Sequence, residues 1–113
     1  MAKHDPALDS LFTALGDPTR RAILARLAEG PASVSELAAP ADMALPSFLG
    51  HLRRLEAAGL VTSTKDGRVR TCALVPAALD PVEGWLAQQR RTWSDRLDRL
   101  DALVTTLSKD SPR

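Results

Sequence analysis

The chain has one cysteine, Cys72, no tyrosine and two histidines, His4 and His51. A single cysteine leaves no internal disulfide and no all-cysteine metal site in one chain. With two histidines, no glycine-rich phosphate loop and no Ser/His/Asp set with a pocket to hold it, the sequence does not read as an enzyme. No catalytic residue, cofactor or metal site is therefore assigned. No apolar run approaches the roughly 20 residues of a membrane helix, and the irregular opening MAKHDPALDS lacks the apolar stretch of a signal peptide. The expected location is the cytoplasm, without membrane contact.

What remains is material for one ordinary domain: 113 residues, 44% of them hydrophobic, enough for a modest core. The net charge is only +1, but it is unevenly spread. Residues 1–42 carry four basic and six acidic side chains, 43–70 carry five and two, and 71–113 carry six and six. The basic excess is thus confined to the middle segment, which points to a polyanion as partner.

Leu8, Leu11, Phe12 and Leu15 fall at helical spacing in a first helix over Ala7 to Leu15. Asp17 as N-cap and Pro18 as first residue open a second helix through Leu27, with Ile23, Leu24 and Leu27 inward. Arg20 and Arg21 stand in its first turn, where cations oppose the helix dipole; one of them is a candidate for a backbone phosphate. Ser33-Val34-Ser35-Glu36 has the form of a capping box and predicts a short third helix to about Ala39, with Val34 and Leu37 inward.

The stretch PSFLGHLRRLEAAGLV, Pro46 to Val61, reads as a fourth helix and its stop signal. Phe48, Leu52 and Leu55 form its core stripe, with Pro46 suited to the first position and Gly59 to the left-handed residue past the end. Pro46, Gly50, Arg53, Arg54 and Ala57 then lie on the opposite side, with Ser47 at its edge. Gly50, one of the worst helix formers, sits at the centre of that outward face. A face that is flat in the middle and carries two arginines suits the close approach of something large and anionic. His51 lies on the border of the core stripe, where a structural hydrogen bond and a phosphate contact are both open to it. The run LVTSTKDGRVRTCALV predicts a strand, an Asp66-Gly67 turn and a second strand. Lys65, Arg68 and Arg70 at its tip are either edge-strand gatekeepers or a basic wing reaching phosphate or the minor groove. Cys72 reads as a half-buried strand residue; only Arg70 nearby would lower its pKa, which disfavours a redox role.

From Asp80, read as an N-cap before Pro81, one apolar stripe runs through Val82, Leu86, Gln89, Trp93, Leu97, Leu100, Val104 and Leu107. A helix of this length overhangs a small domain, and its stripe is most economically covered by the same helix of a second subunit; the alternative is that it folds back on its own chain. Asp95, Asp98 and Asp101 recur every third residue but interleave with Arg96 and Arg99, as an ion-paired surface does. The expected organisation is a reading unit over 1–79 and a dimerisation helix over 80–113, within one structural domain.

Two short helices joined by a turn, the second with a basic outward face, followed by a basic-tipped hairpin, is the order of a winged helix-turn-helix. The fold class is mainly α with a small β-hairpin. LGDPTRRAILARLAEGPASVSELA, HLRRLEAAGLV and DGRVRTCAL resemble the ArsR/SmtB, or arsenic-repressor-like, winged-helix regulators of bacteria, over roughly Leu11 to Leu74. ADMALPSFLGHL, with the Trp- and Arg-containing C-terminal helix, is similar to a branch whose members generally lack the metal ligands. The resemblance implies a homodimer held by its first and last helices, here Leu8, Leu11 and Phe12 with Trp93, Leu97, Leu100 and Val104. It also implies binding to double-stranded DNA at an inverted-repeat operator and repression until an effector releases it, with Ser47, Gly50, His51, Arg53, Arg54, Lys65, Arg68 and Arg70 as DNA-binding candidates. The sequence departs from metal-sensing members in offering neither thiolate nor imidazole in the third or last helix. It departs again at Gly50, where relatives commonly carry Lys, Arg or another polar residue. The rival reading is a dimeric winged helix that docks protein through the same face.

Overall fold

The computed structural model of the protein describes residues 5–110; the reading of His4 and of the first residues lies outside that range. Helix α1 spans Pro6–Leu15 and opens on Asp5, whose carboxylate accepts the Ala7 and Leu8 N–H groups at 3.1 and 3.2 Å. Helix α2 spans Pro18–Leu27, as its cap residues predict, with the Asp17 carboxylate accepting the Arg20 N–H at 3.1 Å. Helix α3, Val34–Ala38, has both halves of the capping box: Glu36 N–H donates to Ser33 Oγ at 3.1 Å and Ser33 N–H donates to the Glu36 carboxylate at 2.9 Å. The backbone and hydroxyl of Ser33 hold the Glu36 carboxyl below the usual carboxylate range.

Helix α4 spans Leu45–Ala57, starting one residue earlier than expected, so that Pro46 is its second residue. It ends in a Schellman motif, with Leu60 N–H donating to Leu55 O and Gly59 N–H to Glu56 O, both at 3.0 Å. Gly59 takes the left-handed φ of +79° this requires. Its inward stripe is the centre of the core: Phe48 and Leu52 are 1% exposed and Leu55 not at all.

The hairpin strands are β2, Val61–Asp66, and β3, Val69–Leu74, and a two-residue strand that the sequence does not announce, β1 (Ala32–Ser33), pairs with the other edge of β3. All pairings are antiparallel in the order β1-β3-β2. Two corrections follow. Asp66 pairs with Val69, so the loop is Gly67-Arg68 and not Asp66-Gly67. Gly67 has φ +64° and no non-glycine residue among those described has positive φ, the distribution expected of a tight hairpin loop with glycine at its first central position. And Cys72, expected to be half-buried, is fully buried, because β1 makes β3 the central strand and Ala32 and Ser63 flank the cysteine on its two sides.

A 3-10 turn, Pro76–Leu79, runs directly into α5, Asp80–Asp110. Asp80 is therefore already helical, with φ −54° and ψ −44°, and is not an N-cap. The packing divides between Val82, buried at 6% exposure in the core of the first unit, and Glu83. In the second unit Leu86, Trp93, Leu97, Leu100, Val104 and Leu107 are all exposed. No described helix is long and apolar enough to cross a membrane. Of the first-helix residues implied to form a dimer interface, Leu11 is committed elsewhere. It is 3% exposed in the chain's own core and has almost no surface left to bury against a partner, whereas Leu8 is only partly buried and Phe12 is exposed.

Candidate nucleic-acid interface

Helix α3, the turn over 39–44 and α4 form a helix-turn-helix, with α4 in the position of the reading helix. Burial of Phe48, Leu52 and Leu55 fixes which face of α4 is presented: Pro46, Ser47, Arg53, Arg54 and Ala57 are exposed and Gly50 is partly exposed. The backbone at Gly50 is ordinary helix. A Cβ built there meets the Arg53 Nη2 at 3.9 Å, an ordinary contact, and no other atom beyond the helix backbone within 4 Å. Neither conformation nor packing inside the chain demands glycine, and the bare position lets the Arg53 guanidinium lie across the middle of the face. The neighbouring arginine points differently: Arg54 lines a small cleft of about 170 Å³ with Ser10, Thr13, Ala14 and Ala57, between α1 and α4.

The wing stands at the other side of α4. Ser63 Oγ donates to the Glu56 carboxylate at 3.2 Å, tying β2 to the end of α4. A groove of about 490 Å³ between α3, Leu49 of α4 and the hairpin is lined by Ser33, Ser35, Arg68 and Arg70 among others. Lys65 and Arg70 are directly paired across the hairpin, both exposed, and Arg68 occupies the loop itself. Like charges directly opposite on a two-stranded ribbon repel, so this arrangement is relieved by an anion placed between them.

Sequence reasoning left Arg20 as a phosphate candidate, and the structure corrects this. Arg20 is 7% exposed. Its Nε donates to Ala14 O and its Nη2 to Thr13 O, both at 2.8 Å, while Arg21 Nη1 donates to Leu15 O at 2.8 Å. The two cations that open α2 therefore cap the last carbonyls of α1, which form the negative end of that helix and of which Thr13 O also accepts the Gly16 N–H. The signal was present in the sequence: with only Gly16 and Asp17 between the helices, the first turn of one must lie beside the last turn of the other.

The third arm of Arg20 reaches the interface, where Nη1 lies 2.9 Å from His51 Nδ1. Arginine has no acceptor, so Nδ1 accepts and the ring proton belongs on Nε2. His51, with 24% of its side chain exposed, lies with that nitrogen 3.6 Å from the Asp17 carboxylate. Burial alone would raise the Asp17 pKa, but the Arg20 N–H, the Arg20 guanidinium charge and the Thr19 N–H hold the carboxyl below its usual value. His51 thus joins α4 to the α1–α2 junction, the structural of its two roles, and keeps an Nε2–H as a donor.

Cys72 offers no chemistry at the surface. Burial, with the charge of Glu56, pushes its thiol pKa up against a smaller opposing effect of Arg70, and the side chain has no exposed surface. Among the described residues, no group of three His, Cys, Asp or Glu side chains is placed to hold a metal ion.

A family model described as a helix-turn-helix domain matches residues 15–64, the stretch from the end of α1 to the first half of β2. The chain is 42% identical over 71 residues to the HTH-type transcriptional regulator Rv2034 of Mycobacterium tuberculosis, covering 63% of this chain and 66%, just under two thirds, of that one. It is 37% identical over 85 residues to the HTH-type transcriptional regulator CmtR of Mycobacterium bovis, covering 75% and 72%. A crystal structure of an ArsR family transcriptional regulator, RHA00566, superposes with a TM-score of 0.78 at 53% identity, over 83% of this chain and 97% of the other. The chain belongs to the ArsR family. As an ArsR-family member it is a DNA-binding transcriptional regulator, which decides against the protein-docking alternative, and the relatives it matches are regulators and not enzymes.

Proposed function

We propose that this ArsR-family regulator works in the cytoplasm as a homodimeric repressor of an inverted-repeat operator. In this reading α4 enters the major groove with Ser47, Gly50, Arg53 and Arg54 foremost, His51 offers its Nε2–H at the edge, and Lys65, Arg68 and Arg70 of the wing hold the flanking backbone. The observation that carries it is the conjunction of a bare, arginine-bearing outward face on α4 with a basic hairpin tip on the same unit. The dimer is supported by the second unit: Trp93, Leu97, Leu100 and Val104 are 61, 64, 56 and 56% exposed along one stripe of α5, more apolar surface than a lone helix leaves in water. On α1, Leu8 and Phe12 are the residues with surface left to join it. No cofactor or metal takes part in this reading, and relief of repression falls to an effector.

The test is an electrophoretic shift on DNA from the protein's own promoter against a scrambled duplex. Wild type should select the promoter. The Arg53→Ala, Arg54→Ala double variant should lose that preference with its melting curve unchanged, since both side chains are exposed and each charged base or phosphate contact is worth about 1–3 kcal/mol. Unaltered operator affinity in a folded double variant would remove α4 as the reading element.

A further inference from the structure

The reading face of α4 is chemically one-sided. Leu45, in the first turn, is 55% exposed. Pro46, Gly50 and Ala57 run along the centre of the face, and Arg53 lies across it at Gly50. Neither α4 nor the wing contains an asparagine or glutamine: the sequence has no asparagine, and its two glutamines, Gln88 and Gln89, are in α5. In the major groove the adenine edge is read bidentately by those two amides, the guanine edge by arginine, and thymine by apolar contact with its 5-methyl group. Two of these three means are present on this face and the third is missing.

We infer that α4 reads its half-site as guanine plus thymine methyl groups, with no bidentate adenine readout; this rests on the DNA-reading function proposed above. Arg53 is the guanine reader, its guanidinium held over the bare backbone of Gly50, where a longer side chain would compete for the space. Leu45 and Pro46 form the thymine-methyl contact. They are the apolar part of the turn that leads a reading helix into the groove, and a half-exposed leucine there gains by losing water against a methyl group. The A·T pairs of the operator are thus recognised from the thymine side. Orientation of each A·T pair is set by where its methyl lies, a feature that differs between A·T and T·A in the major groove.

The experiment uses the full chain and a duplex selected by it from a random pool, with binding measured at one fixed salt concentration. Single positions, changed in one half-site at a time, carry deoxyuridine for thymidine, 7-deazaguanine for guanine, or 7-deazaadenine for adenine. At least one uracil replacement should weaken binding about three- to fivefold, the worth of one methyl group removed from water. At least one 7-deazaguanine should weaken it about tenfold, and Arg53→Ala should be indifferent to that replacement. Leu45→Ser, a change at an exposed position, should bind the thymine and uracil duplexes equally. No 7-deazaadenine should cost the roughly tenfold of a bidentate contact. If the protein selects a sequence and then tolerates uracil at every position, or loses about tenfold or more with 7-deazaadenine, the inference is overturned while the regulator function stands. A pool that yields no preferred sequence overturns both.

Discussion

Gly50 and Arg20 show how differently two residues can depart from propensity. Gly50 weakens its own helix with no return inside the chain, since a Cβ there would find only the Arg53 guanidinium at 3.9 Å. Gly50→Ala should therefore raise stability by about 0.5–1 kcal/mol, seen as a higher melting temperature, and should weaken operator binding, because the flat centre of α4 lets the backbone seat deeply in the groove. Wild-type affinity in the stabilised variant would show that the glycine has no role in reading. Arg20 is the opposite case, unfavourable to α2 and indispensable to the junction. Arg20→Met leaves the buried Ala14 carbonyl without its donor and removes one of two donors to Thr13 O and the partner of His51 Nδ1. At about 1–3 kcal/mol for a buried group left unsatisfied, denaturant unfolding should shift by about that amount, and Arg20→Lys should restore only part, lacking the fork that serves three acceptors at once. Gly50 was legible from periodicity alone. The nearness of Arg20 to the end of α1 was written in the two-residue linker, but its His51 partner was not legible, because it sits on α4.

At the scale of elements, the helix ends were the most legible features, since caps are local chemistry. Asp17, the Ser33–Glu36 box and Gly59 all act within a few residues of themselves. The wing was legible as a hairpin but not in its loop, where Gly67 and not Asp66 leads the turn and Arg68 is the second loop residue. That placement sharpens what the wing should do. Arg68→Ala together with Arg70→Ala should lower affinity for all duplexes alike and reduce the slope of log affinity against log salt by about 0.9 for each phosphate no longer neutralised. Sequence preference should persist, in contrast to the α4 variants, and titrations at several salt concentrations on operator and scrambled DNA measure both quantities. A salt slope equal to wild type would mean that Arg68 and Arg70 do not touch phosphate.

For the whole molecule the question is what joins two reading heads. Removing everything from Asp80 onward would also remove Val82, a core residue of the first unit, and would confuse folding with assembly. Leu97→Asp with Leu100→Asp avoids this, because both side chains are more than half exposed. The variant should sediment as a folded monomer and lose roughly a hundredfold or more of operator affinity as bivalent binding is lost. A variant that remains dimeric by sedimentation would place the assembly surface elsewhere.

The sequence by itself determined the helices, the caps of α2 and α3 and the end of α4, the hairpin, the basic middle segment and the apolar stripe of α5, because each is written in spacings of a few residues or in local charge. Only the tertiary structure decided that Ala32–Ser33 is a strand, that Cys72 is sealed between two others, that Leu11 belongs to the core while Leu8 and Phe12 keep surface to spare, and that Arg20 binds three acceptors instead of phosphate. The physical reason is common to all four. A two-residue strand has no period of its own, a side chain's burial depends on what other elements bring against it, and a guanidinium goes wherever the fold leaves carbonyls without donors.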